Sequence, residues 1–145
     1  MTKPILAVAA ALLFTALVPV QSHAQQLTQA KVPFAFQAGN TMMPAGEYQV
    51  QRASKAATTT QLIRSTDSSA STFVLTNPVD PSDKNTDARL IFHCYNDKQE
   101  CFLSEIWAGN SQGMKLVESR REKELSRAAA ENELAVVSVP LTVTP

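Results

Sequence analysis

Glycine, cysteine and histidine are all scarce in this chain, with four, two and two of them among 145 residues. The glycines stand singly at 39, 46, 109 and 113. A phosphate-cradling loop or a dinucleotide fingerprint needs glycines clustered so that backbone N–H groups can approach the anion, so neither is present. No Gly-x-Ser-x-Gly nucleophile elbow occurs either. An excess of charge of one sign is also missing, because 13 Lys and Arg balance 13 Asp and Glu. Nucleic acid binding draws on clustered cations that displace counterions from phosphates, and no nucleic acid partner is expected here.

A long hydrophobic run is present only at the start. Met1-Thr2-Lys3 is short and basic, and Ile5 to Val20 then runs almost without polar interruption. Ser22-His23-Ala24 supplies the small-x-small triplet that a signal peptidase accepts, so residues 1–24 read as a cleaved signal peptide and 25–145 as one β-rich domain. The apolar run is about 16 residues, short of the roughly 20 that a spanning helix needs, so no stable membrane insertion is expected after cleavage. The expected location is the periplasm or the exterior. Loss of the leader removes Lys3 and His23 and leaves a near-neutral chain, too short for two domains.

In that compartment Cys94 and Cys101 can form one bridge. Ile91-Phe92-His93-Cys94-Tyr95 and Cys101-Phe102-Leu103 flank the polar tract Asn96-Asp97-Lys98-Gln99, which reads as a hairpin. A turn symmetric about Asp97 and Lys98 places the two cysteines directly opposite each other, at a separation a disulfide can close. A metal site is not expected, since His93 is the only histidine left after cleavage and no second cysteine pair exists.

The rest of the mature chain alternates at the period of a strand. Val32, Phe34 and Phe36 fall on one face of a strand that Pro33 assigns to an edge, closed by Gly39-Asn40. Further strands are predicted over 47–52, 61–64, 72–76, the hairpin 89–107, and 134–139. The segment 72–76 should stop at Asn77-Pro78. Within the hairpin, Leu90, Phe92 and Cys94 share one face, and the second arm divides into Cys101, Leu103 and Trp107 against Phe102, Ser104 and Ile106. Ser119-Arg120-Arg121-Glu122 has capping-box spacing and predicts a helix that ends near Asn132, with Arg120 and Glu124 paired along its surface. Short strands, frequent turns and one helix in the C-terminal half give a mainly β fold, an antiparallel β-sandwich or small barrel.

Val32 to Asn40, Pro44-Ala45-Gly46-Glu47-Tyr48, Phe102-Leu103-Ser104-Glu105-Ile106-Trp107 and Ser119 to Leu125 together resemble a group of uncharacterised exported proteins of environmental Gram-negative bacteria. The resemblance covers most of the mature chain. It implies one exported β domain and brings no activity, cofactor or site residues with it.

No catalytic set emerges from the residues. His93 inside a β arm is the bland, partly buried kind, and Glu100 with Glu105, five apart, should point to opposite faces. Asp80, Asp83, Asn85 and Asp87 miss the spacing of a calcium loop. The reading is therefore a non-enzymatic domain without cofactor or metal that binds a protein or envelope component, with Tyr48, Tyr95 and Trp107 as contact candidates if exposed. The alternative is a carrier for a small apolar ligand, with Phe34, Phe36, Phe92 and Trp107 lining a barrel cavity.

Overall fold

In the computed structural model the described residues are 27–81, 87–109, 112–129 and 133–144. The leader 1–24 and the helix end expected at Asn132 lie outside them. The described residues form a mainly β-stranded domain with one helix near its C-terminal half. The strands are β1 (Leu27–Val32), β2 (Phe36–Ala38), β3 (Thr41–Met43), β4 (Gly46–Arg52), β5 (Thr60–Ser65), β6 (Ser71–Val79), β7 (Arg89–Tyr95), β8 (Glu100–Trp107) and β9 (Gly113–Leu116). Helix α1 (Arg120–Ala128) follows, then β10 (Ala135–Pro140) and β11 (Thr142–Thr144).

Hydrogen bonding runs in the order β10-β7-β8-β9-β6-β5-β4-β1-β11, with the β2–β3 hairpin joined to β8. Two segments change neighbours along their length. β6 pairs with β5 through residues 71–75 and with β9 through 76–79. The last described segment pairs with β7 as β10 and with β1 as β11, and only Leu141 separates the two. Leu141 is buried, and its N–H donates to the carbonyl of Ala88 at 2.9 Å.

Proline explains two departures from the sequence expectation. The strand expected from Val32 through Phe36 is broken, because Pro33 cannot donate to a ladder. β1 ends at Val32, the chain bends over 33–35, and Phe36 opens β2 beside β8. Val32 and Phe36 still reach the same core, and Phe34 packs against it. β6, in contrast, continues past the expected stop, since Pro78 sits opposite Met114 in the pairing with β9.

The cysteine hairpin forms as its spacing predicts. Cys94 pairs with Cys101, their Cα atoms stand 4.0 Å apart, and the disulfide is closed. Asn96, Asp97 and Lys98 turn the corner with φ of 52°, 55° and 66°, a left-handed run that L residues adopt at a cost. Closing so short a loop stabilises by about 2.5 kcal/mol or less in the chain-entropy picture, so the bridge acts chiefly to hold this unfavourable turn and its register.

The second arm departs from simple alternation. Ile91 faces Glu105 but Phe92 faces Leu103, so Ser104 is an extra residue in β8. A bulge of this kind reverses the sidedness of all that follows. Leu103 and Ile106 therefore share the core face with Cys101, whereas Trp107 joins Phe102 and Glu105 on the outer face. The expected grouping of Trp107 with Leu103 is thereby corrected.

Candidate functional site: an exposed apolar ladder and a covered hairpin face

The core face of β6 is set by Thr72, Val74 and Thr76, with Val74 and Thr76 buried. Period-two alternation then sends Phe73 and Leu75 outward, where they are 65% and 62% exposed. Leu62 lies opposite Phe73 on β5, and Val117, 47% exposed, donates its N–H to the carbonyl of Leu75 at 3.0 Å. Phe73, Leu75 and Val117 are thus the exposed members of one apolar ladder across adjacent strands, to which the buried Leu62 also belongs. Arg64 on β5 and Lys115, opposite Asn77, border it. Sequence reading placed Phe73 and Leu75 in a strand and did not single them out. The signal was available: Phe73-Val74-Leu75 is apolar on both faces, although a sheet with one wet side needs only one.

A second outer face is covered. Residues 91, 93 and 95 of β7 and 102 of β8 point away from the core, and helix α1 meets this face through Glu122, beside His93, and Arg121, paired with Glu100. Ser119 caps the helix, its Oγ accepting from the Glu122 N–H at 3.1 Å as the capping-box spacing implies. The Ala129 N–H bonds the carbonyl of Leu125 at 2.8 Å at the other end, so the described helix stops at Ala128, short of the expected Asn132. Arg120 and Glu124 pair at 3.1 Å, as their spacing predicts. On that face Tyr95 and Phe102 are both buried and meet edge to face with centroids 5.9 Å apart. Burial pushes the Tyr95 hydroxyl pKa up, and the charges of Glu122 and Glu118 add to this.

The helix is tied to the hairpin tip by a forked ion pair. Arg121 Nε donates to Glu100 Oε2 at 2.9 Å and Nη2 to Oε1 at 2.7 Å, while Asn96 Nδ2 donates to the same carboxylate at 3.1 Å. The hydrogen bonds from Arg121 are the main reason the Glu100 pKa lies below the usual carboxylate range. A depressed folded-state pKa gives stability that is present above the ordinary carboxylate range and is lost as pH falls through the folded value. Arg121→Gln is accordingly expected to flatten the acid limb of a stability-versus-pH curve, only slightly for so exposed a pair. Urea unfolding of both proteins from pH 3 to pH 7 checks this.

Trp107 is clamped on the outer face at the far end of β8. Its Nε1 donates to Glu105 Oε2 at 2.8 Å, the Arg89 guanidinium lies 5.5 Å from the ring centroid, and the indole lies across Gly113. Glu105 is thereby engaged with Trp107 and Glu100 with Arg121. The bulge at Ser104 puts these two carboxylates on the same face, contrary to expectation, but opposite Tyr95 and Ile91, about 13 Å apart along the strand and so not as a pair.

The condition attached to the three contact candidates is not met, since Tyr48, Tyr95 and Trp107 are all buried. Tyr48 faces the core, its hydroxyl donates to the Pro44 carbonyl, and burial raises its pKa. Phe34, Phe36 and Phe92 come together in the core: Phe92 meets Phe34 at 5.1 Å and Phe36 at 5.2 Å, each edge to face. Trp107 is on the other side of β8 from them. Of the acidic loop considered for calcium, Asp83 and Asn85 lie outside the described residues, and Asp80 accepts from Gln112. Among the described residues no cluster of three metal-ligating side chains is found, and no helix is long and apolar enough to cross a membrane. No family model, curated protein or solved structure matches the chain, and no relative's activity is carried over to these residues.

Proposed function

We propose that the chain is exported with removal of residues 1–24, and that residues 25–145 act as a non-enzymatic periplasmic or secreted β-domain that binds a protein or envelope component through the outer face of β5, β6 and β9. The carrying observation is the ladder of Leu62, Phe73, Leu75 and Val117, in which the most exposed member is an aromatic ring beside two exposed aliphatic side chains. Contiguous exposed apolar residues with a charged border characterise surfaces that are covered by a partner. An exported β domain is also what the resemblance of the Val32–Asn40 and Ser119–Leu125 segments implies.

Two segments that change neighbours, at β6 and across Leu141, support reading the sheet as a closed arrangement whose corners are strands shared between two halves. The edge-to-face rings of Phe34, Phe36 and Phe92 at its centre favour a packed interior over a carrier cavity.

The test is recovery of partners from an envelope fraction by tagged mature protein and by Phe73→Ser/Leu75→Ser. Exposed positions of this kind should change stability by about 0.5 kcal/mol or less each. The native protein is expected to retain a partner that the double variant loses at an unchanged melting temperature. Equal retention by both, or none by the native protein, refutes the assignment of this face. Intact mass of the exported product, expected to begin at Gln25, reads the cleavage separately.

A further inference from the structure

Helix α1 sets a carboxylate, where an apolar residue would be usual, toward the buried rings of the β7–β8 hairpin. Glu122 is 4% exposed, and its Oε1 is buried without a hydrogen-bond partner among the described residues. That oxygen lies 3.6 Å from Nδ1 of His93. The gap is too long for a hydrogen bond, yet a proton on that nitrogen would make it a charge-assisted contact after a shift of a few tenths of an ångström. Without that proton, the carboxylate oxygen stays desolvated and uncompensated, which is costly.

The geometry points to a pH-sensitive latch: helix α1 is held against the β7–β8 hairpin when His93 is protonated against Glu122, and loosens when that proton leaves. Among the described residues Glu122 is the charge found against His93. β8 sets Phe102 opposite it and β10 sets Val136 opposite it, both uncharged. On the helix side, Arg121 is committed to Glu100 of β8, and Glu118 precedes the cap and, with Glu122, bears on Tyr95. Exposure of the imidazole, 22% for the side chain, gives protons access to it from solvent.

The sign follows from the two charges. Their attraction needs the carboxylate ionised and the imidazole protonated, and it is lost when rising pH removes the imidazole proton. The Arg121–Glu100 pair keeps both its charges as that proton leaves, so it secures the first turn throughout and the latch acts on the remainder of the helix.

Hydrogen exchange of the mature protein at pH 5.5 and pH 8.0, corrected for intrinsic rates, tests the latch. The amides of Lys123 to Ala129 are expected to be about tenfold less protected at pH 8.0, as befits loss of a partly buried charged contact, with β4 and β5 amides as the unchanged reference. His93→Gln and Glu122→Gln should each abolish the difference. The second keeps the backbone N–H that Ser119 caps, so the helix still starts. Glu118→Gln should leave the difference intact. Equal protection of the native helix at both pH values overturns the latch, as does a pH difference that survives His93→Gln or vanishes only in Glu118→Gln.

Discussion

Phe36→Ala is expected to destabilise the domain by about 3 to 5 kcal/mol, a large part of the total stability of an ordinary domain. Phe36 is 1% exposed and meets Tyr48 and Phe92 edge to face, with centroids 5.1 and 5.2 Å away. It therefore ties β2 and β4 to β7, a strand that comes much later in the chain. Truncation leaves a void that neither neighbour can fill, because Tyr48 is tethered to Pro44 through its hydroxyl and Phe92 is fixed in a central strand. The urea midpoint should fall with little change in slope. Phe34→Ala, at a half-buried ring touching only Phe92 among the ring contacts described, should cost clearly less. Equal losses at the two positions would mean that the ring at 36 is not the keystone its contacts make it.

Gly113→Ala should cost about 2 to 3 kcal/mol through overpacking, although the change adds a single methyl group. A Cβ at position 113 would stand 2.6 Å from Cη2 and Cζ2 of Trp107. The indole cannot step aside freely, since Glu105 holds its Nε1 and Arg89 lies over the ring. Trp107→Leu in the same chain removes the obstacle, so the double variant should lose less than the sum of the two single changes. A double-mutant cycle from thermal or urea melts measures this coupling, expected to be at least about 1 kcal/mol. Additive effects would show that the glycine is required for some reason other than the indole.

The legible parts of the sequence were those where local chemistry settles local structure. Cys94 and Cys101 flank a polar tract of the right length, so their pairing could be read from spacing. Ser119 and Glu122 marked the helix start for the same reason. What could not be read depended on distant partners. The residue inserted at Ser104 is invisible in an apolar run such as Cys101-Phe102-Leu103, where alternation has no polar marker to fix its phase, and it decides which way Trp107 faces. The ladder at Phe73 and Leu75 was missed because strand-forming residues look alike whether they face a core or solvent. The placement of Glu122 against His93 needs the crossing of a helix over a hairpin, which capping-box spacing does not encode.

The residues from Ala135 to Thr144 bear on when the molecule can finish folding. They follow every other described strand in the sequence, yet they give β7 its outer neighbour and pair with β1 at the opposite end of the described residues, where Leu27 meets Thr144. Contacts between segments so distant in sequence are slow to form, because the intervening chain must first be ordered. Until this stretch docks, β1 and β7 each expose a bare edge of the kind that invites pairing with other chains. Docking of this one segment therefore sets the moment at which both edges are sealed.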